Sequence, residues 1–415
     1  MTLIPILQAE EAGRLLGRKA ARFDEAEQVV RPILAAVKKR GDAAVMEYAR
    51  RFDGFDRAEL RLPLGEVFGA SGRVSSDFKR AMNQAARNIR KFAKLQMPVA
   101  KTKQLSPGLQ AGQIIRPLDV VACYVPSGRY PLPSTVLMTA LTAQVAGVRR
   151  VCVTTPKPVP EILAAAQTAS VSDVFLMGGA HAIAAFAYGT KTVPKADRIV
   201  GPGNIYVAAA KKLLAGEVGI DFVAGPTEIL IIADEGNPDW IAADMLAQAE
   251  HDPDASAILL TTSKKLALAV QKAIAGQLVS LPTAATAKVA IENNSAVILV
   301  PSLEDACHLS NSFAPEHLSL HDPELLPLIR HAGGIFLGPM SPEAAGDYAA
   351  GPNHVLPTSG AARLRGGLSA ADFVKVIATQ SLDIKALKRL APAITTLARA
   401  EGLEAHARSV EVRLK

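Results

Sequence analysis

Short apolar runs alternate with longer segments of helical periodicity from residue 118 onwards. Each run is rich in Val, Ile and Leu, as in strands that are buried on both faces of a sheet. In the first half of this region the runs lie at 118–125, 151–155, 173–177, 197–200 and 228–234. Helical patterns separate them, with Ser134 as a good N-cap for the first helix. This alternation predicts a parallel α/β sheet.

The same rhythm returns after residue 238. A helix is expected up to His251, further helices near 264–276 and 303–312, and strands at 257–262, 296–300 and 334–338. The sequence therefore predicts two doubly wound α/β units. Before them come a short lead segment to about residue 22, helical patterns at about 24–51 and 76–95, and a connection at 97–109. The tail from about residue 369 is expected to be mostly helical.

Length and composition fit this picture. At about 150 residues per domain, the 415 residues predict two to three domains. Hydrophobic residues make up 49% of the chain but aromatic residues only 5%, so aliphatic side chains must build the cores. The net charge of +7 comes from scattered basic residues that are not interleaved with aromatics, which disfavours nucleic-acid binding.

The cysteines and the amino-terminal sequence indicate where in the cell the protein is expected. Cys123, Cys152 and Cys307 lack metal-binding spacing and are expected to be buried, reduced thiols. The start of the chain has no signal-peptide pattern, and no apolar run reaches the roughly 18 residues of a membrane span. A cytoplasmic protein that binds neither membrane nor nucleic acid is expected.

Two segments combine imidazole with oxygen-bearing side chains. Gln248 and His251 share a face at a predicted helix end and can bind one zinc-like cation, although from this pair alone an ordinary helix terminus is favoured. Glu316 and His317 follow Pro315 at a loop-to-strand junction. They can serve as an acid/base pair or lie in a capped turn, and the local sequence leaves both open.

Weaker candidates occur towards the carboxyl end. Asp347 offers a hard oxygen ligand and His354 a hydrogen bond to a polar substrate, whereas Glu343 is interpreted as helix-start charge. His406, in the segment Glu401–His406, alone is interpreted as a surface histidine.

Two glycine turns resemble anion-binding sites. The segments 178–180 and 201–204 each follow a strand and open a helix, where backbone N–H groups can receive phosphate. Neither has the GxGxxG pattern of dinucleotide-binding turns, so the residues by themselves indicate only possible anion binding.

Taken together, the motifs resemble those of the histidinol dehydrogenase family. The match keeps one order along nearly the whole chain, with YVPSGRYPLPSTVLM at 124–138, GPGNIYV at 201–207, AGPTEILIIAD at 224–234, LAQAEHDPD at 246–254, FAPEHL at 313–318, SPEAAGDYAAGPNHVLPT at 341–358 and EGLEAH at 401–406. The resemblance implies oxidation of L-histidinol to L-histidine through an aldehyde, in the last steps of histidine biosynthesis, with two NAD reduced.

The resemblance also implies roles for individual residues. One zinc ion per subunit would be held by Gln248, His251, Asp347 and His406, with His406 supplied by the partner subunit of a homodimer with shared active sites. His317 would take the alcohol proton and Glu316 would activate water. Further substrate contacts fall on Thr227, His354 and Glu401, and NAD contacts on Tyr124, His181 and Asn204.

The implied architecture is two incomplete Rossmann-like domains with small terminal pieces. A dimerisation segment is expected at 1–22, a main domain with the catalytic and metal residues at 23–123 and 229–368, a second, NAD-binding domain at 124–228, and a helical tail at 369–415 that reaches the partner subunit.

Some positions depart from the family pattern. His181 stands where Gln is usual, Thr227 where Ser is frequent, and Ser127 where Gly is usual. The GRYP segment at 128–131 and the GGL segment at 366–368 leave open a related dehydrogenase of another alcohol, such as a sulfonated diol. A zinc hydrolase and a nucleotide-binding regulatory protein are the alternatives from other classes.

Overall fold

The computed structural model describes residues 3–16, 23–127 and 130–415. The strands are β1 (Ile6–Gln8), β2 (Lys101–Ser106), β3 (Leu109–Pro117), β4 (Val120–Tyr124), β5 (Arg150–Thr154), β6 (Asp173–Phe175), β7 (Arg198–Val200), β8 (Gly219–Ile220), β9 (Glu228–Ile232), β10 (Ser256–Thr261), β11 (Ala296–Leu299), β12 (His317–Leu320), β13 (Gly334–Leu337) and β14 (Val374–Leu382). The helices are α1 (Gly13–Leu16), α2 (Phe23–Arg40), α3 (Asp42–Tyr48), α4 (Leu64–Gly69), α5 (Ser76–Leu95), α6 (Pro133–Val145), α7 (Pro160–Thr168), α8 (Gly179–Tyr188), α9 (Ile205–Leu214), α10 (Pro238–Ala249), α11 (Lys264–Leu278), α12 (Ala284–Asn294), α13 (Leu303–Phe313), α14 (Glu343–Tyr348), α15 (Ile384–Ala400) and α16 (Glu404–Glu411).

A six-stranded sheet in the order β1-β11-β10-β9-β12-β13 forms the first unit. All its pairings are parallel. Separate hydrophobic cores lie on its two faces, as expected where helices cover both sides of a parallel sheet. The strands that follow β9 lie on both sides of it, so the strand order reverses at β9 and β12. The lead segment contributes β1 as an edge strand.

A five-stranded parallel sheet in the order β6-β5-β4-β7-β8 forms the second unit. Its order reverses at β4 and β7. The prediction of two Rossmann-like, doubly wound parallel units is therefore confirmed. Helix α6 begins at Pro133, with Leu132 rather than Ser134 in the N-cap position, because proline is well suited to the first helical turn.

The helices at 23–95 share one hydrophobic core with the five-stranded sheet. Helix α2 contacts α8 and α9, and α5 contacts α6. The assignment of residues 23–123 to the domain that carries the catalytic residues stays a prediction. The helical stretch expected at 24–51 is divided, because Gly41 turns the chain with φ +55° between α2 and α3.

A three-stranded antiparallel sheet, β14-β3-β2, joins the tail to the segment that precedes the second unit. The expectation that residues 97–109 form a connection is wrong at β2. The tail is mostly helical, as expected, but it also contains strand β14, which no pattern in the sequence predicted. Strand β2 is exposed at nearly every position, so it carries no alternation of apolar and polar residues. Helices α15 and α16 follow β14 and pack against each other. Within the described ranges, the helices are all too short or too polar to cross a membrane.

Candidate active site

Glu316 and His317 lie at the amino-terminal edge of the six-stranded sheet. His317 opens β12 and pairs in register with Ile229 on β9 and Gly334 on β13. Ala314, with φ +50°, turns the chain out of α13 before Pro315. Both side chains are buried, with 6% and 4% of the residue exposed, and Glu316 Oε2 lies 3.6 Å from His317 Nδ1. The turn thus brings these neighbours together, although adjacent residues in a straight strand face apart.

Helix α14 adds two carboxylates to the pair. Glu343 Oε1 lies 3.4 Å from His317 Nδ1, and Asp347 Oδ1 lies 3.7 Å from His317 Nε2. Glu343 and Asp347 are four residues apart and therefore share a helix face. We call Glu316, His317, Glu343 and Asp347 the acid–imidazole cluster. Of its members, His317, Glu343 and Asp347 have ligand atoms close enough together to hold one metal ion.

The backbone sets the tautomer that a neutral His317 would adopt. Its Nδ1 lies 3.2 Å from the Glu228 carbonyl oxygen, an acceptor, so Nδ1–H donates there. Nε2 is then the nitrogen with a lone pair. It is buried and has no hydrogen-bond partner among the described residues, since the distance to Asp347 is too long. In this tautomer the His317 ring directs a buried nitrogen without a hydrogen-bond partner towards the Asp347 carboxylate.

Burial and mutual charge perturb the pKa values of the cluster. Burial alone would lower the pKa of His317, but the charges of Glu343, Glu316 and Asp347 raise it to about 10. Burial raises the pKa of Glu343 to about 8 and raises that of Glu316 above its usual range. Burial acts on Asp347 in the same direction, yet His317, His354 and His251 hold its pKa below the ordinary value. A buried group of three carboxylates and one imidazole favours a cation.

Thr227 and Gln248 hold the carboxylates in place. The Thr227 hydroxyl donates to Glu316 Oε2 at 2.5 Å, and the Glu228 N–H donates to the same oxygen at 3.0 Å. Gln248, at the end of α10, is fully buried, and one of its amide atoms lies 2.5 Å from Thr227 Oγ1. With the amide turned so that its nitrogen donates to Glu343, the Gln248 oxygen competes with Glu316 for the single proton of the Thr227 hydroxyl. Serine, which is frequent at position 227 in the family pattern, would offer the same hydroxyl.

His354 joins this site to the second unit. Its Nδ1 lies 2.9 Å from the Asp347 carbonyl oxygen, and its Nε2 lies 3.2 Å from Thr135 Oγ1 in the first turn of α6. Burial lowers the pKa of His354, so the neutral ring donates from Nδ1 and accepts at Nε2. Helix α6 follows β4. The carboxyl edge of the five-stranded sheet therefore meets the amino edge of the six-stranded sheet here.

The turns expected to bind NAD follow three strands of the five-stranded sheet. Tyr124 ends β4, Gly178 and Gly179 follow β6, and Asn204 follows β7. The Tyr124 hydroxyl accepts the Gly179 N–H at 3.1 Å, and burial raises the pKa of Tyr124 to about 12. Asn204 is exposed and caps α9 through two backbone N–H groups. The turns after β4 and β7 lie at the position where the strand order reverses, the usual place for a nucleotide in such folds.

A buried ion pair fixes the turn after β7. Lys211 Nζ lies 2.6 Å from Asp221 Oδ1, and both side chains are almost fully buried. The same ammonium donates to the Gly201 carbonyl oxygen at 2.6 Å, while the Gly201 N–H donates to Asp221 Oδ2 at 2.7 Å. Gly201 has φ +112°, and a Cβ there would collide with the carbonyl oxygen of Tyr124. Only glycine fits this position.

The structure gathers most, but not all, of the residues singled out from the sequence. Thr227, Gln248, Glu316, His317, Asp347 and His354 lie together, and His251 is close enough to influence the Asp347 pKa. Glu401 and His406 are exposed on the tail around α15 and α16. Ser127 is buried and accepts the Lys157 N–H at 3.2 Å, while residues 128 and 129 of GRYP lie outside the described residues.

Glu343 is the residue that the sequence interpretation undervalued. It does lie in the first turn of α14, but its side chain is buried beside His317. Its spacing of four residues from Asp347 was the available signal, since both had to share one face of a short helix.

Comparisons with known proteins agree along the whole chain. The family model for histidinol dehydrogenase matches residues 16–414. A histidinol dehydrogenase of Syntrophotalea carbinolica is 47% identical over 413 residues, covering 97% of this chain and 96% of the relative. One from Methanothermobacter thermautotrophicus is 44% identical over 410 residues, with 97% and 96% covered. The crystal structure of a histidinol dehydrogenase from Elizabethkingia anophelis has a TM-score of 0.95 at 36% identity, covering 100% of this chain and 98% of that one.

Proposed function

The chain belongs to the histidinol dehydrogenase family, and from this premise we propose that it oxidises L-histidinol to L-histidine through L-histidinaldehyde, with zinc bound and two NAD reduced. Membership of this family makes the chain an NAD-dependent oxidoreductase of histidine biosynthesis. It therefore disfavours a zinc hydrolase and a purely regulatory protein. The substrate, the metal and the residue roles are the proposal.

The observation that carries the proposal is the acid–imidazole cluster. His317 Nε2 is buried and unpartnered among the described residues, with Asp347 Oδ1 at 3.7 Å and Glu316 Oε2 at 3.6 Å from the other ring nitrogen. An alcohol oxidation needs one group that removes the hydroxyl proton as the hydride leaves. A following aldehyde oxidation needs a second group that activates water. The adjacent residues His317 and Glu316, which have different contacts, can serve as the proton acceptor of the alcohol and as the group that activates water.

A bound zinc ion would offset the carboxylate charges that raise the pKa of His317 to about 10, which would leave the neutral imidazole available. His317 then takes the proton of the substrate alcohol at Nε2, while the carbon loses hydride and becomes an aldehyde. Glu316 then removes a proton from water as the water oxygen bonds to the aldehyde carbon, and protonated His317 returns its proton to the former carbonyl oxygen, which gives the hydrate and leaves His317 neutral again. His317 takes the hydroxyl proton of the resulting hydrate, and loss of a second hydride leaves the carboxylate. NAD, when bound, accepts one hydride in each oxidation. The glycine turns beside Tyr124, His181 and Asn204 are the proposed nucleotide contacts.

The donor set fits a zinc ion. Gln248, His251 and Asp347 would hold it together with His406 of a second subunit, a mixed nitrogen and oxygen set that zinc accepts. The excess of buried carboxylates around Asp347 supports a cation beside this residue, which is the one proposed ligand that also belongs to the group of side chains close enough to share a metal ion. Zinc, when bound, would anchor the imidazole and amine of the substrate, so that the aldehyde is held until it is oxidised. Thr227 and His354 would contact the substrate alongside.

A homodimer is part of the proposal, because Glu401 and His406 lie on the exposed tail. The tail also exposes Leu397 and Leu403, with 65% and 44% of the residue accessible. A second copy that covers this face would bury apolar surface and bring a histidine and a carboxylate to the site of its neighbour. The predicted domain bounds and the cytoplasmic location stay predictions.

The test is NADH formation with zinc-loaded protein. We expect two NADH per L-histidinol consumed, and loss of activity after chelation that added Zn²⁺ restores. A sulfonated diol of similar size is the control substrate. Turnover of the diol without any turnover of histidinol would contradict the proposal and assign the chain to another alcohol.

A further inference from the structure

The turn that opens α8 is held by a carboxylate from outside the five-stranded sheet. Asp53 Oδ2 accepts the Gly178 N–H at 2.8 Å and lies 2.9 Å from His181 Nε2. One oxygen therefore ties together a backbone group and a side chain three residues apart. Asp53 belongs to the helical layer at 23–95, and none of the sequence motifs contained it.

The local backbone aims Asp53 at this turn. Residues Ala49–Asp53 form a π-helical segment after α3, and Gly54 ends it in the left-handed conformation with φ +68°. Single π turns are rare and frequently occur at functional sites, where they redirect one side chain. The helix is therefore irregular at the position from which the Asp53 carboxylate contacts Gly178.

His181 is enclosed by the same segment. Its ring lies 6.2 Å from that of Tyr48 and 6.4 Å from that of Phe52, and only 1% of the residue is exposed. Nε2–H donates to Asp53, and the buried Nδ1 has no hydrogen-bond partner among the described residues. With so little of the residue exposed, this imidazole is closed off from a nucleotide that approaches the turn from solvent.

We propose that Asp53 is a positioning residue for NAD binding, and that His181 acts through Asp53 instead of touching the cofactor. This inference rests on the proposed function, because it assumes that the turn at Gly178 receives the dinucleotide. The Asp53 carboxylate fixes the turn before the cofactor arrives, so binding does not have to order it. The histidine at position 181, where the resemblance leads one to expect glutamine, keeps an N–H donor for that carboxylate.

A double-mutant cycle on the zinc-loaded enzyme tests the pair. We compare Asp53→Ala, His181→Ala and the double variant by equilibrium NAD binding and by steady-state kinetics. Each single change should weaken NAD binding about tenfold or more, the usual effect of losing a hydrogen bond to a charged group. The KM for histidinol and the zinc content should stay within about twofold, since the acid–imidazole cluster is untouched. The double variant should bind NAD no worse than Asp53→Ala.

Two controls separate positioning from general stability. Asp42→Ala removes another carboxylate of the same helical layer, which accepts the Thr192 hydroxyl at 3.0 Å beyond the far end of α8, and should leave NAD binding unchanged. His181→Gln keeps an N–H donor and should restore most of the affinity lost in His181→Ala. If Asp53→Ala does not fold, Asp53→Asn keeps the shape and should still weaken NAD binding several-fold.

Three results would overturn the inference. They are unchanged NAD affinity in the folded Asp53 variants, equal losses for NAD and histidinol, and a double variant that loses the sum of both single effects, which would mean that His181 touches NAD directly. Wild-type protein that fails to bind NAD at all would instead overturn the proposed function, so the two failures are distinguishable.

Discussion

Replacing Glu316 with glutamine should separate the two oxidations. The amide keeps one oxygen that can accept from the Thr227 hydroxyl and the Glu228 N–H, now at 2.5 and 3.0 Å from Oε2, so the side chain should stay oriented. It cannot take a proton from water. The carboxylate is suited to that task because burial raises its pKa above the usual range, which brings its proton affinity nearer to neutrality.

The expected size of the effect follows from this loss. A positioned general base contributes about 10² to 10⁴ in rate, or roughly 3–5 kcal/mol of activation free energy. Aldehyde oxidation should therefore slow by about that factor. Alcohol oxidation should change less than about tenfold, because the charge of Glu316 is one of those that raise the pKa of His317, and removing it favours the neutral base.

The assay is stopped-flow NADH formation under single-turnover conditions. L-Histidinol and L-histidinaldehyde are supplied separately to zinc-loaded enzyme with excess NAD. Glu316→Gln should form one NADH per site rapidly from histidinol and the second slowly. Glu304→Gln, on the exposed first turn of α13, is the matched control and should match the wild type. Equal slowing with both substrates would refute the assignment of Glu316 to the water step.

Three further outcomes are expected. His406→Ala should lower zinc content, and a heterodimer that pairs it with a His251→Ala chain should regain one zinc ion and one active site; no recovery would contradict a tail that acts across subunits. Cys123, Cys152 and Cys307 should resist a thiol reagent until the protein is unfolded, because all three are buried and burial raises the pKa of the first two to about 12. Asp244→Asn should increase the free energy of unfolding at pH 7 in the metal-free protein. Burial raises the pKa of Asp244 to about 6, so its contribution to stability is present below about pH 4 and is lost as the pH rises through 6; denaturant titrations at pH 4 and 7 that show no difference between the variants would contradict this.

The parallel sheets were predictable because their strands are continuous apolar runs. The run at 228–234 contains β9, and the run at 296–300 contains β11, each buried from both sides. Strand β2 has no such signal, since its side chains are exposed and its stability comes from pairing with β3. Strand β14, the other partner of β3, lies more than 250 residues away from it in sequence, and no local pattern encodes that pairing.

The candidate site was predictable where chemistry and spacing agreed. Glu316 and His317 attract attention as adjacent acid and imidazole groups, but only the left-handed turn at Ala314 and the pairing of β12 show that both face one cluster. Asp53 gave no signal at all. Its role depends on a π-helical turn and on contacts with a glycine 125 positions away, which are properties of the tertiary structure.

The proposed site is divided between the edges of two sheets, and this division affects how the cofactor and the substrate enter and leave. Two hydrides must leave one substrate, so under the proposed function one reduced cofactor has to be exchanged while the aldehyde waits. The acid–imidazole cluster is buried, whereas Asn204 is open to solvent on the edge of the other sheet. The reduced nucleotide can therefore leave from the solvent-open edge of the five-stranded sheet, while the reactive aldehyde stays in the buried cluster.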